Sequence, residues 1–176
     1  MIGQTSRRRA APARQEVVTL KPLAPGIAVA SQLLPGDLSE LRARGVRAVI
    51  DLRPDGEAPD QPSASTMADA ARAARLSFFY TPTPHGVVPP DVVHDFSTAL
   101  VQIRAQPAAA SPDAAQAPIV LFCRSGARAV RVWALAEASR AGGMSLDEIE
   151  RAATGAGFSI ADERDEVARR IAARGT

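Results

Sequence analysis

The sequence predicts an α/β domain with a central, mostly parallel sheet flanked by helices on both faces. Two observations carry this expectation. Short β-branched or apolar runs alternate with segments of helical period between residues 26 and 143. One run, Ile119-Val120-Leu121-Phe122, is apolar throughout, as a strand buried on both faces must be.

The elements follow in order. Gly26 to Ala30 reads as a short strand. Pro35-Gly36-Asp37 opens a helix over Leu38 to Arg44, with Asp37 as its N-cap and Gly45 just past its end. Val46 to Leu52 is the clearest strand. Four helix-breaking residues (Pro54, Gly56, Pro59, Pro62) make 53–62 a loop. Thr66 to Arg75 is an alanine-rich helix and Ser77 to Tyr80 a strand. The proline-rich stretch 81–90 is another loop. Asp91 then caps a helix to Gln106, with Val92, Phe96, Ala99, Leu100 and Ile103 on its buried face and His94 on its surface. Residues 107–117 are Ala, Pro, Ser, Asp and Gln and read as a flexible surface insertion. After the apolar strand, Cys123 to Gly126 turns the chain into a helix from Ala127 to Ala141. Ser145 and Glu148 form a capping box for a helix to about Thr154. A charged helix over Asp162 to Ala173 ends the chain. The domain boundaries expected from this pattern are a disordered basic tail at 1–20, a catalytic domain at 21–160 and a helical extension at 161–176.

Composition excludes several functions. A lone cysteine excludes an internal disulfide framework and any multi-cysteine metal cluster. Four arginines and one glutamate in residues 1–16 exceed the formal net charge of +2, so the remainder of the chain is slightly acidic. A basic tail on a near-neutral domain does not predict nucleic-acid binding. No apolar run reaches the length of a membrane span, and no secretory h-region follows Arg7-Arg8-Arg9. The expected location is the cytoplasm, where a lone thiol stays reduced. Neither a metal nor a cofactor is expected.

In a parallel sheet, ligands collect outside the carboxyl ends of the strands. The loop at the end of the apolar strand reads Cys123-Arg124-Ser125-Gly126-Ala127-Arg128. Its context is strand, cysteine, glycine turn, arginine, helix. Backbone N–H groups at a helix start point outward and favour anions. Gly126 can adopt a positive φ and let those groups converge. A thiol there is expected to ionise readily. Arg128 can clamp an oxyanion with two N–H donors. This places a nucleophile, Cys123, inside an anion-binding loop formed by Arg124, Ser125, Gly126, Ala127 and Arg128.

Further residues carry a family resemblance. Gln32-Leu33, Pro35, Asp37-Leu38, the run Gly45 to Glu57 (GVRAVIDLRPDGE) and the loop Cys123 to Arg128 resemble the bacterial phosphatase-like domain also found fused to beta-lactamase-like hydrolases. That family is related to protein tyrosine and dual-specificity phosphatases. The resemblance covers residues ~24–160 and implies a protein tyrosine phosphatase-like fold. It implies Cys123 as the nucleophile on phosphorus and Arg128 as the clamp.

The residues leave three functions open. The first is a cysteine-dependent phosphatase acting on a phosphorylated protein or small molecule. Such enzymes usually read His-Cys-X5-Arg-Ser/Thr; here Phe122 precedes the cysteine, the spacing is X4 and Ala129 follows the arginine. The leaving group also needs an acid. In the stretch 81–88 the only titratable residue is His85. Asp55 or Glu57 offers an alternative carboxyl, and Arg53 either adds positive charge near the phosphate or anchors a carboxylate. The second function is a rhodanese-type sulfurtransferase with a persulfide on Cys123, fed by thiosulfate or a persulfide donor. The short loop and missing aspartate suit that chemistry. The third is a phosphate-binding interaction module with little turnover.

Overall fold

A computed structural model describes residues 17–106 and 119–174. Five strands form one sheet: β1 (Lys21–Ala24), β2 (Ile27–Ala30), β3 (Ala48–Asp51), β4 (Ser77–Tyr80) and β5 (Ile119–Phe122). Their order is β1-β2-β5-β3-β4. Three pairings are parallel, and β1 joins β2 antiparallel at the sheet edge. The mostly parallel sheet of the sequence reading is therefore present, with β5 at its centre as the all-apolar run requires.

Six helices cover the sheet: α1 (Asp37–Ala43), α2 (Ala64–Ala73), α3 (Pro90–Ala105), α4 (Ala127–Ser139), α5 (Leu146–Gly155) and α6 (Arg164–Ala173). The alternation of side chains along each strand divides the core in two. Val29, Ile50 and Leu121 face a cluster completed by Phe96 and Ile103 of α3, Trp133 of α4, Ile149 of α5 and Val167 of α6. Val49, Val120 and Phe122 face a second cluster with Leu38 and Leu41 of α1 and Met67 and Ala71 of α2. Helix α4 is the most enclosed. It buries ten of its thirteen residues, because α3, α5 and α6 pack around it.

Four local expectations are corrected. Residues 21–24 form β1, a strand that Pro22 conceals from a propensity reading. Asp37 is not the N-cap of α1; Gly36 holds that position, and the Asp37 carboxylate accepts the Leu34 N–H at 2.7 Å. Asp91 is not the cap of α3 either. The helix starts at Pro90, whose missing N–H costs nothing at a first turn, and Pro89 is the N-cap. Val93 rather than Val92 is fully buried on that helix. The Ser145–Glu148 capping box is present as read. Helix α6 docks firmly for so charged a segment: Val167 is buried, and Arg174 beyond its end donates to the carbonyls of Ala138, Gly143 and Met144. Residues 1–16 of the tail and the whole of the 107–117 insertion lie outside the described residues. Among the described residues, no helix is long and apolar enough to cross a membrane.

Candidate active site

The carboxyl ends of β2, β3, β4 and β5 meet at one rim. Strand β5 delivers Cys123 there, buried beneath the turn that follows. The Gly126 N–H donates to Cys123 Sγ at 3.2 Å. Gly126 has φ +95° and serves as the N-cap of α4. A Cβ at this position would stand 2.9 Å from Phe158 Cζ and 3.2 Å from the Ala30 carbonyl oxygen. Both the backbone angle and the space thus require glycine. Ser125 Oγ accepts the Ala127 N–H at 3.4 Å, so its hydroxyl supports the helix start. Arg124 is exposed, and its carbonyl accepts the Gln32 N–H at 3.2 Å, tying the β2 loop to the cysteine loop.

Arg128 lies in the first turn of α4 and is buried. Its Nη1 donates to the Leu52 carbonyl at 3.4 Å, and its Nη2 lies 2.8 Å from Glu57 Oε1. Arg53 reaches the same carboxylate from the end of β3. Its Nε donates to Glu57 Oε2 at 3.0 Å, and its Nη1 donates to Gln32 Oε1 at 2.7 Å. Of the two roles expected for Arg53, the geometry gives it the anchoring of a carboxylate. Burial pushes the Glu57 carboxyl up, but the bonds to Arg53 and Arg128 outweigh burial and hold it below the ordinary range. Glu57 therefore stays ionised and is poorly suited to donate a proton.

His85 stands beside this pair on the loop after β4. Its Nε2 is 3.2 Å from Arg128 Nη2 and 3.4 Å from Glu57 Oε1. The two contacts demand opposite states of one nitrogen. Nε2 accepts from the guanidinium only when unprotonated and donates to the carboxylate only when protonated. Its side chain is 79% exposed, so it reaches the site from the solvent side. A hollow of about 590 Å³ opens there, lined by Gln32, Arg53, Glu57, Ala58, Asp60, His85 and Arg124.

Asp55 takes a different place. Its Oδ1 accepts the Ala64 N–H at 2.8 Å, at the start of α2, and its own N–H donates to Tyr80 Oη at 2.9 Å. It braces the 53–62 loop. Sequence reasoning missed two other features. Gln32 links Arg53 to the β2 loop. Asp51, buried at the end of β3, has its carboxyl pushed up to about 7 by burial, against the Arg53 N–H that its Oδ1 accepts at 2.9 Å. An aspartate inside a β-branched strand was the available signal. Among the described residues, no cluster of three metal-ligating side chains occurs.

A family model described as the phosphatase-like domain of beta-lactamase hydrolase-like protein matches residues 19–142. The chain belongs to this BLH phosphatase family. The match includes β1 through α4, and so the whole of the rim just described. Beta-lactamase hydrolase-like proteins of Xylella fastidiosa and Agrobacterium fabrum are 28% and 27% identical over 134 and 112 residues, which are 76% and 64% of this BLH phosphatase-family chain. The chain spans only 28% and 23% of those two proteins. Among solved structures, a candidate phosphatase from Neisseria meningitidis superposes with a TM-score of 0.66 at 23% identity, covering 89% of this chain and 99% of its own. Tk-PTP in its active form gives 0.60 at 20% identity, covering 88% and 97%. The BLH phosphatase chain thus has the protein tyrosine phosphatase-like fold.

Proposed function

We propose that this phosphatase-like domain hydrolyses phosphomonoesters through Cys123. The observation that supports this reading most is the conjunction at one rim of Cys123 under the Gly126 N–H, a buried Arg128 and an imidazole within 3.2 Å of that guanidinium. The Cys123 thiolate attacks phosphorus, and the phosphorus–oxygen bond to the leaving group breaks. Loop N–H groups and Arg128 stabilise the charge on the equatorial oxygens. His85, protonated and held by Glu57, gives its proton to the departing oxygen. Water then attacks the phosphocysteine, His85 takes up its proton, and inorganic phosphate leaves with the thiolate restored. Arg124, Ser125 and Ala127 contribute the loop around the phosphate. The substrate class is a phosphorylated protein or small molecule.

A second reading, rhodanese-type sulfur transfer, is favoured by the X4 spacing and by the absence of a carboxylate in the 81–88 stretch. A persulfide on Cys123 needs no leaving-group acid. One pair of assays separates the two. An aryl phosphate, and separately thiosulfate with cyanide, are supplied to the wild type, Cys123→Ser and Arg128→Lys. Phosphate release that both substitutions abolish is expected. Arg128→Lys keeps the charge but loses the planar fork. Thiocyanate formation without phosphate release would replace the first reading with the second. Silence in both assays, with retained phosphate binding, would identify an interaction module.

A further inference from the structure

A second cavity lies away from the cysteine loop, between α3, α4 and α6. It encloses about 370 Å³, within the range of small-molecule sites. Its wall is apolar where the helices meet, formed by Val93, Leu100, Trp133 and Ala136. Its rim is basic: Arg104, Arg140 and Arg170 line it together with His94. The carboxylate on the rim, Glu137, is already engaged. It pairs with Arg140 and accepts the Met144 N–H at 3.0 Å.

The rim arginines keep donors in reserve. Arg140 uses Nε and Nη2 on Glu137 and retains Nη1. Arg170 uses Nε on Glu166 and Nη1 on Ser139 Oγ and retains Nη2. Arg104 makes no hydrogen bond or ion pair among the described residues, although its charge helps to hold the Glu137 carboxyl below its ordinary range. An apolar wall under an incompletely used cationic rim is complementary to a molecule with an apolar body and one anionic head. We propose that this cavity binds a small amphiphilic anion, its chain or ring against Trp133 and its carboxylate or phosphate head on Arg104. This site is independent of the proposed chemistry at Cys123.

The molecule contains its own reporter, because Trp133 is the single tryptophan of the chain. The full chain is titrated with monomeric decanoate and with decyl phosphate while tryptophan emission is followed. Saturable quenching or shift is expected with one or both; the stronger ligand identifies the preferred head. Decanol, which lacks the charge, is expected to bind at least about fivefold more weakly, as is either anion to Arg104→Glu or Arg104→Gln. Arg104 is exposed, so both variants keep the fold. Cys123→Ser and Arg128→Lys are expected to leave the titration unchanged. An unresponsive Trp133, equal binding of decanol, or equal binding by both Arg104 variants would overturn the proposal. A response lost in Arg128→Lys would overturn it too, by moving the anion to the cysteine loop.

Discussion

Asp51→Asn tests the electrostatics of the rim. Asp51 is 1% exposed, and its carboxyl is raised from the ordinary 3.8 to about 7, chiefly by burial. The sign follows from linkage. Below pH 3.8 the carboxyl is protonated in both the folded and the unfolded chain and carries no cost. As the pH rises towards 7, the unfolded chain ionises while the folded one does not, so stability falls. Above that value both states are ionised and the loss is complete. At about 1.4 kcal/mol per pH unit, the loss amounts to roughly 4 kcal/mol. Asparagine keeps the acceptor for the Arg53 N–H and never ionises. Urea unfolding of both proteins at pH about 4, about 5.5 and about 8 isolates the effect, since every other titration is common to the pair. The variant should gain steadily on the wild type, reaching roughly 4 kcal/mol at the highest pH. A difference constant within about 0.5 kcal/mol across the range would refute the reasoning.

Gly126→Ala should destabilise by about 2–4 kcal/mol, combining a left-handed alanine with the contact on Phe158, and should remove most turnover; thermal unfolding and phosphate release check both. Arg75 closes α2 with φ +58° at a position that favours glycine, so Arg75→Gly should stabilise by up to about 1 kcal/mol, read from the urea midpoint. Glu57→Gln keeps the shape but removes the charge shared by Arg53 and Arg128. It should lower kcat/KM about 10–100-fold with an unchanged far-ultraviolet spectrum, and wild-type turnover would exclude Glu57 from positioning Arg128.

Legibility in the sequence followed the range of the interaction. The β5 strand and the cysteine loop are local, and their order of apolar run, cysteine, glycine and arginine could be read directly. The Ser145 capping box is local too. Strand β1 was hidden because Lys21 and Pro22 carry no strand signal; its pairing with β2 through the turn at Gly26 is what makes it a strand. Asp37 and Asp91 do not cap their helices because an aspartate serves equally well one or two positions past the cap, in the first turn, where the dipole favours it. The role of Glu57 was the least accessible. Arg53 lies only four residues before it, but Arg128 and His85 come from the start of α4 and the loop after β4, so no spacing in the chain announces that they share this carboxylate. Asp55, with the same charge two residues earlier, supports α2 instead.

On the proposed reading, the Glu57 carboxylate between two guanidiniums explains how a near-neutral domain would keep an anion site. Two buried arginines without a counter-charge would cost several kcal/mol each, and Glu57 between them, with Asp51 buried close by, offsets that cost. Arg128 stands in the first turn of α4, where the loop N–H groups add positive potential. Arg128 divides its fork between its partners: Nη2 faces Glu57 and His85 Nε2, and Nη1 faces the Leu52 carbonyl. His85 then completes the balance from the solvent side. On the proposed mechanism, His85 Nε2 as a donor competes with Arg128 for Glu57 Oε1, 3.4 Å away. Anion capture and proton delivery would be coupled through this one carboxylate, which is why charge, rather than size, should be the property of residue 57 that matters.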